Sequence, residues 1–186
     1  MSTFYILLAL VAAAALYGIS IYNKLVRNKN LVDEGWSGIE TQLKRRANLV
    51  PNLVETVKGY ATHERTAFEE VTKLRTQAMS ITDIGERAHK EGELTAALGR
   101  LFAVAEAYPD LKANQNFIDL QDDLSDIEDK IQLARRYYNG TVRNMNILVE
   151  SFPSKIIANM FSFATAKFFE LDDARDRAVP KVSFEN

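Results

Sequence analysis

The chain contains no cysteine. That excludes disulfides, thiol nucleophiles and thiolate metal sites, and it leaves the redox compartment open. Only eight glycines and four prolines interrupt 186 residues, and β-branched runs are few, so strand signals are scarce. Basic residues are not in excess. The net charge is −2, which offers no bulk attraction for nucleic acid. His63 and His89 are the whole supply of imidazole. His63-Glu64 lacks the second histidine that would complete a zinc-protease helix motif. A Gly-rich phosphate loop, a Gly-x-Ser-x-Gly elbow and an Asp-x-Asp calcium loop are absent as well. Asn139-Gly140-Thr141 fits the glycosylation sequon, but it falls inside a helical stripe. No catalytic residue, cofactor or metal is expected.

What is present begins with an uncharged run from Phe4 to Tyr22, FYILLALVAAAALYGISIY. A helix of about 20 residues spans the hydrocarbon layer, roughly 30 Å. Phe4, Tyr5, Tyr17 and Tyr22 stand near its ends, where aromatic rings sit at headgroup level. A cleaved signal peptide is the rival reading, with Ala12 to Ala15 as small-residue cleavage positions. Met1-Ser2-Thr3 carries no basic residue, unlike a signal n-region, so a retained anchor is favoured. Lys24, Arg27 and Lys29 all follow the run. The positive-inside rule then places the N-terminus outside and the remainder in the cytoplasm, as a single-pass protein of the cytoplasmic membrane. No breaker appears before Gly35, so the anchor helix is expected to run on past Asn23.

After the anchor, the apolar positions follow a helical stripe: Val32, Trp36, Ile39, Leu43, Ala47, Val50, Val54, Val57 and Ala61, with the same phase reaching Phe68, Val71 and Leu74. The phase does not shift at Pro51. One long helix kinked there is favoured over two helices meeting in a turn, although Asn48 is a residue type that caps a new helix. Lys44, Arg45 and Arg46 form a basic knot. They are candidates for lipid-headgroup contact, or for ionic contacts with acidic surface on another helix. Asp83 followed by Glu86 resembles a capping box, which predicts a helix restarting near Ile84. From Leu94 the stripe is Leu94, Leu98, Leu101, Ala105 and Tyr108, and Pro109-Asp110 ends it.

The most regular stripe is Phe117, Leu120, Leu124, Ile127, Ile131, Ala134, Tyr138, Thr141, Met145, Leu148 and Phe152. Alternating threes and fours suit near-parallel packing on another long helix, as in a coiled coil. Its first half carries Asp119, Asp122, Asp123, Asp126, Glu128 and Asp129. These follow the outer face of a helix, which favours a solvated face or the partner of the basic knot over a cation site. Asn139 and Asn146 share a face and are expected to bond to the facing helix and fix its register.

From Pro153 the chain turns apolar: Ile156, Ile157, Met160, Phe161, Phe163, Phe168, Phe169 and Leu171 fall within a short span. This is too short to cross a bilayer. Three placements remain: capping the bundle, lying in the membrane interface, or packing on another subunit. Phe161, Phe163, Phe168 and Phe169 are the candidates for oligomer or membrane contact. The expected division is an anchor over 1–23, a long-helix bundle over 24–152, an amphipathic aromatic helical segment over 153–174 and a polar tail over 175–186.

The stretch YNKLVRNKNLVDEGWSGIETQLKRRANLVPNLVETVKGYATHE, Tyr22 to Glu64, resembles the LemA family. The resemblance resumes in ARRYYNGTVRNMNILVESFPSKIIANMF, Ala134 to Phe161, and in the phenylalanines that follow, so it covers nearly the whole chain in the family's order. Two positions depart from the pattern. Met145-Asn146 stands where a second Tyr-Asn is expected, and Ser162 where a glycine often separates two phenylalanines. The resemblance implies an all-α protein: an N-terminal transmembrane helix, then an elongated up-and-down bundle of about four helices with an aromatic-rich C-terminal segment. It implies no settled activity and transfers no catalytic residue.

These readings favour a structural or interaction protein over an enzyme. The expected partners are membrane lipids and further copies of the chain, as a homo-oligomer, with no nucleic acid. The alternative is an adaptor that recruits or regulates another membrane protein, such as a protease or envelope-stress component. An enzyme acting on lipid or peptide rests only on Lys44, Arg45 and Arg46.

Overall fold

The computed structural model describes residues 2–61 and 63–170. Among these the protein is all-α, with six helices and no strand. The expected Leu171 and the polar tail over 175–186 lie outside the described residues.

Helix α1 runs Ser2–Lys58 without interruption. Pro51 therefore sits inside one helix, not in a turn between two. Proline has no N–H, so the carbonyl four residues back, Ala47, loses its helical donor. Arg75 supplies the replacement: its Nε donates to the Ala47 oxygen at 2.6 Å. A neighbouring side chain re-satisfies the freed backbone group, and the helix continues through the proline.

Helix α2 is Arg65–Ser80 and α3 is Ile84–Ala105. The restart at Ile84 is the one expected from Asp83: its carboxylate accepts from the Gly85 N–H at 3.0 Å and the Glu86 N–H at 3.1 Å, an N-cap that satisfies two of the orphan donors of the first turn. Pro109-Asp110 does more than end α3, because Pro109–Lys112 forms a short helix, α4, with the proline in its first turn. Asn114 then caps α5, Gln115–Glu150, its side-chain oxygen accepting from the Phe117 N–H at 3.2 Å. The last helix, α6, is Ser154–Met160.

The described chain forms two compact units. The first comprises the part of α1 up to Leu43, together with Asp129–Phe168. Its buried side chains include Leu25, Val32, Ile39 and Leu43 from α1, and Ile131, Tyr138, Val142, Met145 and Val149 from α5. Gly35 is buried here, and a Cβ on it would lie 3.1 Å from the Tyr138 Cα. A bare glycine is what lets α1 and α5 approach so closely. Trp36 stacks beside it on Tyr138, ring centroids 5.7 Å apart.

The second unit centres on Lys44–Glu128. Its core joins Val50, Leu53, Val54 and Val57 of α1 with Phe68, Val71 and Leu74 of α2. Leu94, Ala97, Leu98 and Leu101 of α3 and Phe117 and Leu124 of α5 complete it. Apart from Leu53, the α1 and α2 members repeat the stripe expected from the sequence. Toward its C-terminal end the α5 stripe drifts. Val149 is buried where Leu148 and Phe152 were expected, and Phe152 is 82% exposed. A helix of 3.6 residues per turn rotates away from a strict seven-residue repeat, so the late positions move round.

The C-terminal segment is shorter as a helix than expected. It is helical only to Met160, and residues 163–170 take no helical form. The stop is a Schellman motif: Phe163 N–H donates to the Ala158 oxygen at 2.9 Å and Ser162 N–H to the Asn159 oxygen at 3.3 Å. Ser162 occupies the left-handed position, with φ 57°. That conformation favours glycine, the residue the resemblance leads one to expect at this position.

Candidate functional site

The most unusual surface is the first part of α1. Residues 2 to 17 are all exposed, and Phe4, Ile6, Leu7, Leu8, Leu10, Val11 and Leu16 are each more than half exposed. In water such a face would be prohibitively costly; in hydrocarbon it is at home. This is the one described helix long and apolar enough to cross a membrane.

The expected basic knot divides. Lys44 and Arg45 are on the surface, whereas Arg46 is 1% exposed. Its guanidinium donates to Glu91 Oε2 at 2.5 Å, to Thr95 Oγ1 at 2.7 Å and to Glu128 Oε1. Arg87 also faces Glu91, at 3.8 Å. Arg46 thus ties α1 to α3 and to the acidic half of α5, and its charge is consumed inside the unit. Burial withdraws this guanidinium from the surface, and only its Nε is left without a hydrogen-bond partner. Glu91 was not singled out in the sequence, although a signal was there. It lies three residues before Leu94 and three after Ala88, so it shares the apolar phase of α3.

The reading of Asn146 also needs correcting. Asn146 does not bond to a facing helix. Its amide nitrogen donates to the Ala166 oxygen at 3.0 Å, and its oxygen accepts from the Ala166 N–H at 2.8 Å. Tyr138 adds a third bond, its hydroxyl donating to the Lys167 oxygen at 2.7 Å. Together they pin the non-helical segment after α6 along α5, replacing the ladder bonds that an extended strand would need. Burial raises the Tyr138 pKa, with the Asp33 charge adding to the effect.

The four phenylalanines separate as well. Phe169 is fully buried, so it is not available for a contact outside the chain. Phe161 and Phe163 pack on Tyr22, ring centroids 4.7 Å and 5.8 Å away. Phe161 stays 52% exposed and Phe168 40%. Ile157 reaches the same part of α1, with its Cδ1 3.6 Å from where a Cβ on Gly18 would stand.

Chemistry-bearing groupings are sparse. No cluster of three His, Cys, Asp or Glu suited to a metal ion occurs among the described residues. An open groove of about 610 Å³ is lined by Lys58 of α1 and by Arg65, Phe68, Glu69, Lys73 and Gln77 of α2.

Fold and surface together define a membrane protein: an all-α bundle whose first helix begins as an exposed apolar rod. The LemA family profile matches residues 35–184. The chain belongs to the LemA family. It is similar to magnetosome protein MamQ 2 of Paramagnetospirillum magneticum, 26% identical over 184 residues, covering 85% of this chain and 68% of that protein. Protein LemA of Metamycoplasma hominis is 27% identical over 156 residues, covering 82% and 68%. Magnetosome protein MamQ of Magnetospirillum gryphiswaldense is 23% identical over 184 residues, covering 85% and 68%. None of these names states a reaction.

Proposed function

We propose that the protein is a non-enzymatic membrane scaffold that assembles with copies of itself side by side and organises the bilayer around it. The observation that carries this is a second stripe on α5, separate from the buried one. Leu133, Tyr137 and Ile147 are 56%, 48% and 54% exposed, and Gly140 faces open space. With Asn144, these positions fall three or four residues apart and share one helical face. An apolar face with a glycine at its centre suits close packing of helix on helix. It belongs to the same compact unit as the apolar rod of α1, so an anchored chain meets others already confined to the membrane plane. Two relatives named as magnetosome proteins support a role at membranes.

The apolar rod is a retained anchor in this reading. Lys24, Arg27 and Lys29 beyond it support a bundle on the cytoplasmic side, and protease added to spheroplasts should leave the bundle intact. Self-assembly is tested with Leu133→Cys or Ile147→Cys in the otherwise cysteine-free chain. Oxidation in native membranes should give dimers of the chain. A foreign adduct alone would favour the adaptor reading, and no adduct would contradict the scaffold.

A further inference from the structure

The contacts of α6 place it at a definite level on α1. Ile157 meets Gly18 and Phe161 meets Tyr22. Gly18 lies within the apolar run, roughly 6 Å before its end at 1.5 Å per residue. Whatever touches Gly18 shares its depth. On a helical wheel α6 has four sides. Ser154 and Ala158 are buried, and Ile157 and Phe161 turn to α1. Lys155 and Asn159 form an exposed polar side. Between the polar side and α1 lie Ile156 and Met160, 53% and 68% exposed. On the wheel that apolar strip borders the side of α6, Ile157 and Phe161, that meets α1. Phe152, 82% exposed, stands just before α6.

We propose that α6 is a second membrane contact. Ile156 and Met160 enter the leaflet at the Tyr22 end of the anchor, flanked by Phe152, while Lys155 and Asn159 meet the headgroups. The division of faces is that of an interfacial helix, apolar side down and basic side chain up. Its occupant is lipid because the bordering residues Ile157 and Phe161 rest on Gly18 and Tyr22, at the depth of the apolar run. The proposal rests on the anchor reading of α1 and is independent of self-assembly.

The test uses the full chain in vesicles of phosphatidylethanolamine and phosphatidylglycerol. Nitroxide labels are placed singly through Ile156→Cys, Met160→Cys and Asn159→Cys. Leu10→Cys serves as the mid-anchor reference and Gln121→Cys as the aqueous one. Power-saturation measurements compare accessibility to oxygen with accessibility to a water-soluble nickel chelate. The oxygen-to-nickel ratio at Ile156 and Met160 should exceed that at Asn159 and Gln121 severalfold and approach that at Leu10. Ratios at Ile156 and Met160 equal to Gln121, with Leu10 in lipid, overturn the α6 proposal alone. Exclusion of both agents at Ile156 and Met160 also overturns it, since protein then covers the strip. An aqueous ratio at Leu10 overturns the anchor reading and this proposal together.

Discussion

Arg46 shows how one buried charge is made tolerable. Two carboxylates and a hydroxyl surround its guanidinium, so its desolvation is offset on three sides. Removing one partner leaves the other uncompensated. Arg46→Met should therefore cost about 3–5 kcal/mol in denaturant unfolding of the full chain in detergent. Arg46→Met with Glu91→Leu should recover most of that loss. Ser162 lies at the opposite extreme, a residue whose backbone prefers another side chain. In the left-handed region a non-glycine residue costs roughly 1–2 kcal/mol. Part of the gain from Ser162→Gly is lost to the freer unfolded chain, so a net stabilisation of about 0.5–1 kcal/mol is expected in the same titration. Tyr138 adds a pH dependence. Its folded pKa is raised, so its contribution is complete below the unfolded value of about 10 and is lost as pH rises through the folded one. Tyr138→Phe should flatten this part of the alkaline decline. It should also lose about 0.5–1.5 kcal/mol at neutral pH with its bond to Lys167.

The elements themselves were largely legible in the sequence. Val50, Val54, Val57, Phe68, Val71 and Leu74 are buried where the three-four alternation put them, because burial of one helix face is what that alternation records. Asp83 marked the start of α3 by the cap it forms. Partners distant along the chain were not legible. Nothing near Pro51 announces Arg75, and nothing near Asn146 announces Ala166, since both bonds depend on how elements pack. The same holds for the end of α6: apolar composition continues past Met160, but the left-handed Ser162 stops the helix. The Pro51–Arg75 relation is testable as a coupling. Arg75→Ala should cost about 1–2 kcal/mol while Ala47 lacks its helical donor. In a Pro51→Ala background the helix supplies that donor, and the cost of Arg75→Ala should shrink by about 1 kcal/mol. Equal costs in both backgrounds would show that the arginine packs without replacing the missing N–H.

At the scale of the whole molecule, a membrane protein of the LemA family presents two features that a simple tether does not need. One is the exposed Leu133–Tyr137–Ile147 face on α5; the other is the exposed apolar strip of Ile156 and Met160 on α6. In the proposed assembly, confinement to a bilayer would raise the effective concentration of neighbouring chains, so that a face too small to hold a dimer in solution would suffice there. Ile147→Asp puts a charge at this face without touching the buried core. It should dissociate the assembly while leaving the helices formed, as read by circular dichroism. The most direct measurement is native mass spectrometry of the particle extracted together with its own lipid. The account predicts protein masses at multiples of 21.0 kDa above one, collapsing to a single chain for Ile147→Asp. A particle of one 21.0 kDa chain, persisting across mild detergents and lipid nanodiscs, would contradict it.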